Sequence, residues 1–348
     1  MNSSTRSRAL AEYSERPPNY IAIPRKQIKR LGMSTLSLRN GDIFVSVHIP
    51  ENDLFGGVTK LLEVLRPNWD SNRVKFKVFT DGITNKLIAC YLEESECDKD
   101  TVLVRIYGNK TDLLIDREAE LRNIKILNKM SDCFAPKIYG VFENGIAYEY
   151  FPGVTLNTDT VLNPKIWTSI AQRMANMHKV DLGKEVPKEP FLWDKIEQFL
   201  RLLPEPFSDP DKQNRFVSSF GSVTKLRIEY ERMKSFLSKV DNPIVFAHND
   251  LLLGNVIHNE ADGKISFIDY EYAAYNYQAF DIANHFNEFV EMYERHSSRL
   301  RQQEIRRKYS SKILNWRSAS MMSFGYVFTD RDRLRLCRGS WAHRSWDP

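Results

Sequence analysis

The sequence predicts an α+β protein of two lobes, with a small β-rich N-terminal lobe and a larger, mainly helical C-terminal lobe. Residues 74–108 contain three apolar runs of strand length, and residues 137–150 add two more around a Glu-Asn-Gly turn. After Pro152-Gly153 the apolar spacing changes from a strand pattern to a helical one. This change places a lobe boundary near residue 153.

The composition is that of an ordinary globular protein. The chain has 348 residues, of which 42% are hydrophobic and 27% are charged. No apolar run approaches the roughly 20 residues of a membrane span, and the N-terminal segment lacks the apolar centre of a secretory signal. We therefore expect no stable membrane insertion and a cytoplasmic location. The four cysteines show no metal-ligand spacing and are expected to be free thiols.

Charge is distributed unevenly and supports a division into four segments. Residues 1–48 hold eight Lys/Arg against three Asp/Glu and are expected to be a mostly disordered basic segment. Residues 294–348 hold thirteen against five and form an atypical basic tail. The N-lobe is expected at 49–152 and the C-lobe at 153–293. The acidic body between the basic ends disfavours nucleic acid and suits a cationic or metal-bound ligand, although solvated surface charge explains it equally well.

The densest chemical signal lies in residues 244–272. His248-x-Asp250 is followed by Asn255, and Asp269 closes the later apolar run "ISFID". A two-residue turn at Asp262-Gly263 would form a hairpin that brings Asn255 within about one residue of facing Asp269. An amide oxygen and a carboxylate would then meet at one end, beside the loop that carries Asp250. This arrangement suits Mg²⁺ and a nucleophile held next to a phosphate.

Each residue of this stretch has an expected role. Asp250 is the candidate catalytic base, which would orient an acceptor hydroxyl and take its proton. Asn255 and Asp269 are the candidate Mg²⁺ ligands. His248 is expected to be structural, with its ring bonded to the backbone. The whole pattern is far more specific than a lone His-x-Asp.

The N-lobe contains candidate residues for binding the phosphates of a nucleotide. In a kinase-like small lobe, a turn between two strands closes over the nucleotide and the next strand carries a cation. Arg105 is the candidate cation, with Glu118 or Glu120 of the helix at 116–130 as its partner. Backbone at the end of the N-lobe would bond the adenine edge. The remaining candidate nucleotide-binding residues are Gly82, Thr84 and Asn85 of the turn, and Glu149 and Phe151 at the crossing between the lobes.

Residues 270–289 contain several tyrosines followed by a predicted helix that carries acidic residues. Asp281 and Glu288 fall on one face at helical spacing, close in sequence to Tyr272 and Tyr275. Carboxylates and aromatic faces suit a small organic cation. Asp281 is expected to be a buried acid that holds the catalytic loop, whereas Glu288 is expected to contact substrate.

Four segments, "FTDGITNKL", "VLVRIYGNKT", "AHNDLLLGN" and "FIDYEYAAYNYQAFDIANHFNEF", resemble the ethanolamine kinase branch of the choline/ethanolamine kinase family. The resemblance covers about 56–290. It implies a two-lobed protein-kinase-like fold, ATP and Mg²⁺ as cofactors, and phosphorylation of the ethanolamine hydroxyl, the first step of the CDP-ethanolamine route to phosphatidylethanolamine. It also implies Glu120 rather than Glu118 as the partner of Arg105, and Tyr272 and Glu288 beside the amine.

Three alternatives follow from the same sequence. After about residue 290 the chain departs from the family pattern, which leaves open a catalytically weak isoform whose basic tail binds an acidic partner or an anionic lipid surface. A choline-preferring kinase is the second alternative, since tyrosines as well as acids lie near 270–288. A protein kinase is disfavoured because no Asp-Phe-Gly or Ala-Pro-Glu segment follows Asp269. Homodimerisation is left open.

Overall fold

The computed structural model describes residues 36–39, 42–79, 85–93, 100–108, 111–130 and 133–287. The N-lobe contains a seven-stranded sheet in the order β1-β2-β6-β7-β5-β4-β3. Its strands are β1 (Leu36–Arg39), β2 (Asp42–Val45), β3 (Val74–Phe79), β4 (Asn85–Leu92), β5 (Val102–Tyr107), β6 (Ile138–Phe142) and β7 (Gly145–Glu149).

The centre of this sheet is antiparallel and deeply buried. Strands β3, β4, β5 and β7 pair antiparallel in that order, and β2 runs parallel to β6. Strands β1 and β2 fall within residues 1–48, the segment expected to be mostly disordered, and β2 lies inside the sheet because β1 pairs with its outer side. Five of the six residues of β5 are buried, so Arg105 extends from one of the most enclosed strands of the lobe.

Helices pack on both sides of the sheet. Helix α1 (Leu54–Leu65) contributes Leu61 and Leu62 to the same buried hydrophobic cluster as Val104 of β5. Helix α2 (Arg117–Asn128) begins at Asp116, whose carboxylate accepts the Ala119 N–H and caps the first turn. Its buried stripe packs toward the C-lobe core, which positions the first turn of α2 at the cleft between the lobes.

The C-lobe is mainly helical, as predicted, with two small sheets. Its five described helices are α3 (Pro164–Met177), α4 (Phe191–Leu202), α5 (Pro210–Phe220), α6 (Val223–Leu237) and α7 (Gln278–Asn287). One sheet joins β8 (Val154–Thr155), β10 (Val256–Asn259) and β11 (Lys264–Phe267), and the other joins β9 (Ile244–Ala247) to β12 (Ala274–Tyr277). The sequence interpretation omitted α5, β8 and the pairing of β9 with β12.

The β10–β11 hairpin has a different turn from the predicted one. Asn259 pairs with Lys264, so four residues form the turn instead of two. Gly263 in this turn has a φ of +70°, a conformation that glycine adopts without strain. Asn255 then faces Ile268, and its carbonyl oxygen accepts a hydrogen bond from the Ile268 N–H. Asn255 therefore lies within one residue of facing Asp269, as expected.

The chain enters the C-lobe sheet directly after β7. Val154 pairs with His258 of β10, and Gly153 has a φ of +141°. A Cβ atom on Gly153 would lie 2.6 Å from the His258 carbonyl oxygen, so a larger residue would push β8 away from β10. Among the described residues, every helix is too short or too polar to span a bilayer.

Candidate active site

The loop that carries Asp250 is fixed by a completely buried acid on α7. The two oxygens of Asp281 accept the backbone N–H groups of His248, at 3.2 Å, and of Asn249, at 2.8 Å. The His178 ring lies 2.8 Å from Oδ2 of the same carboxylate. Burial alone would raise the pKa of Asp281, but these hydrogen bonds outweigh it and lower the pKa below its ordinary value. The prediction that Asp281 is a buried acid holding the loop that carries Asp250 is confirmed.

His248 has the structural role that its sequence context predicted. Its Nε2 lies 2.9 Å from the Ile268 carbonyl oxygen, which ties the loop to the end of β11. Burial lowers the pKa of this ring, so it is neutral at physiological pH. Asn249, with a φ of +66°, donates its side-chain amide to the Tyr272 carbonyl oxygen and accepts from Asn276. The side chain of Asn249 therefore ties the loop to both Tyr272 and Asn276, directly before Asp250.

Asp250 and Asn255 are joined directly. The Asn255 side-chain amide donates to the Asp250 carbonyl oxygen at 2.8 Å, which spans the short turn between them. With its nitrogen engaged, the amide presents its carbonyl oxygen as the ligand atom. The structure thus brings two of the three predicted catalytic and metal-binding residues onto one rigid loop.

Asp269 reaches the same region through an unusual backbone conformation. Its φ and ψ of 63° and 65° lie in the left-handed region, which costs a non-glycine residue about 1 kcal/mol but is adopted by Asp more readily than by most residues. This conformation ends β11 and turns the side chain toward the N-lobe. There Arg105 donates from Nη1 to Oδ1 of Asp269 at 3.0 Å. The two residues are 164 positions apart in the sequence.

The predicted pair of Arg105 and Glu120 is confirmed. Nη2 of Arg105 is hydrogen-bonded to Oε1 of Glu120, and both side chains are almost fully buried. Burial alone would lower the pKa of Arg105, but Glu120 and Asp269 keep it raised. Burial would likewise raise the pKa of Glu120, and Arg105 with Arg117 keeps it lowered. Both groups therefore remain charged, and Glu118 makes no corresponding contact among those described.

Two further charged residues belong to this cluster and were missed from the sequence. Nη1 of Arg117, at the first position of α2, donates to Oε2 of Glu120 at 2.9 Å and to Oε2 of Glu271 at 3.1 Å. Its Nη2 binds the side-chain oxygen of Asn85 at 3.3 Å. The available signals were the spacing of three between Arg117 and Glu120, and the acid two residues after Asp269. Asn85 is thus the member of the predicted phosphate turn that the structure connects to the cleft.

The cleft concentrates negative charge. One carboxylate oxygen each from Glu120, Asp269 and Glu271 lies within 4.8 Å of the others. Burial raises the pKa of Glu271 to about 7, and the Asp269 carboxylate adds to the effect. Asp269 is less enclosed than Glu120 and Glu271, because a third of its side chain is exposed. Arg105 also engages only one of its two carboxylate oxygens.

The oxygen donors of Asn255 and Asp269 fit a hard divalent cation. One is a neutral amide oxygen and the other an anionic carboxylate oxygen, which are ligand types that Mg²⁺ takes. Asp269 also lies where acids cluster, so a cation there would relieve repulsion among them. These residues would hold the metal if the cleft binds one.

Several predicted residues stand apart from this cluster. Glu149 ends β7, and its N–H and carboxylate are both engaged with the Lys137 backbone. Its N–H therefore already has a backbone partner, and the adenine contact expected near this residue stays a prediction. Phe151 is half-buried in the crossing between the lobes. Gly82, Thr84, Glu288 and the basic tail at 294–348 lie outside the described residues.

The fold and this cleft define a class of protein. A β-rich lobe joined to a helical lobe, with Arg105, Glu120 and Asp269 connected across the cleft, is the architecture of protein-kinase-like proteins. A solved ethanolamine kinase from Plasmodium vivax has a similar fold, with a TM-score of 0.66 and 26% identity over 90% of this chain and 91% of that one. A choline kinase from Cryptosporidium parvum shares the fold at a TM-score of 0.57 and 18% identity, covering 81% of this chain and 92% of that one.

The chain belongs to the choline/ethanolamine kinase family, whose model matches residues 76–313. The match continues past residue 290, where the sequence was expected to depart. An ethanolamine kinase from Drosophila melanogaster is 39% identical over 75% of this chain and 65% of its own length. Mouse ethanolamine kinase 2 is 44% identical over 70% of this chain and 61% of its own length. The chain therefore spans less than two thirds of these curated relatives.

Proposed function

We propose that this protein transfers the γ-phosphoryl group of ATP to the hydroxyl of ethanolamine and forms phosphoethanolamine. The observation that carries the proposal is the shared position of Asp250, Asn255 and Asp269 at one loop and hairpin end, with Arg105 reaching Asp269 from the N-lobe. Similarity to ethanolamine kinases supports the substrate. The product would enter the CDP-ethanolamine route to phosphatidylethanolamine.

The roles follow from the chemistry of each side chain. Asp250 hydrogen-bonds the ethanolamine hydroxyl, orients its oxygen in line with the γ-phosphorus and takes the proton as the new O–P bond forms and the bond to ADP breaks. Arg105, held by Glu120, places a fixed cation beside the phosphates. Mg²⁺ held by Asn255 and Asp269 would neutralise the nucleotide charge. Gly82, Thr84 and Asn85 would donate to phosphate oxygens, with Glu149 and Phe151 near the adenine.

The amine end of the substrate requires a different environment. Ethanolammonium donates three hydrogen bonds, so carboxylates near Tyr272 suit it, and Glu288 is the proposed contact in the sequence beyond the described residues. Choline lacks N–H groups and gains chiefly from charge and aromatic faces. The proposal therefore includes a preference for ethanolamine.

A competition assay tests this function. The purified chain is supplied with Mg²⁺, ATP and equal concentrations of ethanolamine and choline, and both phosphorylated products are quantified by mass spectrometry. We expect phosphoethanolamine to dominate, and product formation to stop when EDTA removes the metal. A clear excess of phosphocholine would overturn the substrate assignment, and the absence of both products would overturn the function.

A further inference from the structure

Lys195 lies on the buried face of α4, where an apolar residue is expected. Leu192, Ile196 and Leu200 form the same stripe of the helix and are buried in the C-lobe core. Lys195 itself is only 6% exposed. A lysine is almost never buried to this extent unless its ammonium has partners. Its partners therefore indicate what the residue does.

The Lys195 ammonium is enclosed by three aromatic rings. Nζ lies 5.3 Å from the ring centroid of Tyr272, 5.3 Å from that of Phe199 and 5.5 Å from that of Phe191. It also donates hydrogen bonds to the Leu114 carbonyl oxygen and to Oε1 of Gln198, the latter at 3.0 Å. Several ring faces around one ammonium are the arrangement by which proteins recognise quaternary ammonium ligands. Here a side chain of the protein occupies it.

Tyr272 connects this cage to the catalytic residues. Its carbonyl oxygen accepts the side-chain amide of Asn249, the residue before Asp250, at 2.9 Å. In agreement with this placement, burial and the carboxylates of Glu271 and Asp250 raise the pKa of the Tyr272 hydroxyl. Glu271 also acts on the Lys195 ammonium. The cage therefore adjoins the loop that carries the base proposed to act on the substrate hydroxyl.

We propose that Lys195 determines substrate specificity by filling the aromatic cage beside the amine site with an internal ammonium, which excludes quaternary ammonium substrates. This inference rests on the proposed phosphorylation of an amino alcohol at the same site. Trimethylammonium offers no hydrogen-bond donors, so it depends on ring faces that Lys195 already covers. Lys195 also repels a second cation at the Tyr272 ring. A primary ammonium can bind neighbouring carboxylates instead and does not need the cage, so discrimination comes from a built-in repulsive element.

Two variants test the proposal because they remove the charge in different ways. Lys195→Met keeps the length of the side chain, and Lys195→Gln retains a donor for the Leu114 carbonyl oxygen. We expect either change to raise the ratio of kcat/KM for choline to that for ethanolamine by about tenfold or more. Tetramethylammonium, assayed as an inhibitor of ethanolamine turnover, should become more potent by a similar factor. Lys195→Arg keeps a cation in place and should keep the discrimination of the unmodified chain.

Lys188 provides a matched control. Its Nζ also lies over a tyrosine ring, 5.6 Å from the centroid of Tyr275, but its side chain is exposed and bound to Asp181. Lys188→Met should leave both the substrate ratio and the inhibition by tetramethylammonium unchanged. An equal change in the Lys188 and Lys195 variants would show a general charge effect and overturn the cage assignment.

The outcomes separate this inference from the function on which it rests. If the unmodified chain phosphorylates neither amino alcohol, the proposed function fails and the inference fails with it. If the unmodified chain phosphorylates ethanolamine and a folded Lys195→Met or Lys195→Gln protein keeps the original ratio, only the specificity role is overturned. Far-ultraviolet circular dichroism establishes which variants are folded.

Discussion

Two buried polar networks of the protein differ in what surrounds their carboxylates. The loop network consists of His178, His248, Asn249 and Asp281, and it lies within the C-lobe. The cleft network consists of Arg105, Arg117, Glu120, Asp269 and Glu271, and it joins the two lobes.

The loop network is closed, whereas the cleft network is open on one side. Both oxygens of Asp281 are satisfied by backbone and histidine groups, and its side chain has no exposed surface. Asp269 keeps a third of its side chain exposed and has only one oxygen bound to Arg105. A closed network fixes geometry, while an open one retains the capacity to bind a ligand. The comparison supports a positioning role for Asp281 and is consistent with the proposed ligand-binding role of Asp269.

The largest expected effect is on catalysis at Asp250. Asp250→Asn keeps the size of the side chain but removes the proton acceptor, so we expect kcat to fall by about 10²–10⁴-fold. Steady-state ADP release with ethanolamine measures the change. The thermal midpoint should stay within a few degrees of that of the unmodified chain, and a variant that retained most of its kcat would contradict the role of Asp250.

Substitution of Asp281 should lower the stability of the protein, whereas substitution of Asp250 should lower kcat. Asp281→Asn removes the charge and presents an amide donor to backbone N–H groups, which leaves buried donors unpaired. We expect the free energy of unfolding to fall by about 3–5 kcal/mol, measured by urea titration. Asp181→Asn is the control, since that acid is exposed beside Lys188 and should change stability far less than Asp281→Asn. Equal losses in the two variants would remove the distinction between buried and exposed acids.

The coupling inside the cleft network can be measured with a double-mutant cycle. Arg105→Met, Glu120→Gln and the double variant should give a coupling energy of about 2–3 kcal/mol in urea unfolding, because both partners are buried. The same cycle on Arg227 and Glu197, whose side chains are partly exposed, should give less than about 1 kcal/mol. A coupling near zero for Arg105 and Glu120 would show that the pair is not formed in solution.

Lys195 predicts a dependence of stability on pH that needs no substrate. Burial lowers its pKa to about 8, although Glu271 and Asp116 oppose the shift. The unfolded lysine titrates near pH 10.4, so between these values the unfolded chain binds more protons and stability rises with pH. From pH 8 to pH 10 the unmodified chain should gain about 2 kcal/mol relative to Lys195→Met. Parallel stability curves for the two proteins would contradict burial of the ammonium.

The sequence predicts the parts of both networks that depend on local pattern. Helical spacing placed α2 and α7 and predicted a mainly helical C-lobe. The short hairpin between Asn255 and Asp269 was expected to bring these two residues together. The sequence also predicted structural roles for His248 and Asp281, and their hydrogen bonds to the backbone confirm these roles. The length of the turn was wrong, because the position of Asp262-Gly263 alone does not determine how many residues leave the ladder.

Contacts between distant segments were beyond such patterns. Arg117 and Glu271 meet across 154 positions, and no periodicity relates them. The left-handed backbone of Asp269 likewise follows from its place at the end of β11 and not from its residue type alone. Lys195 did carry a signal, since a lysine on the apolar stripe of α4 breaks the pattern of the helix, and such breaks often mark functional positions.

The central claim is tested most directly by following phosphorus itself. ³¹P nuclear magnetic resonance of the purified chain with Mg²⁺, ATP and ethanolamine would resolve the product, with Asp250→Asn and Asp281→Asn proteins run beside it. The account predicts a phosphomonoester signal that matches authentic phosphoethanolamine, its near absence with Asp250→Asn, and its presence with folded Asp281→Asn protein. Loss of ATP signal to inorganic phosphate alone, without phosphoethanolamine, would contradict the account.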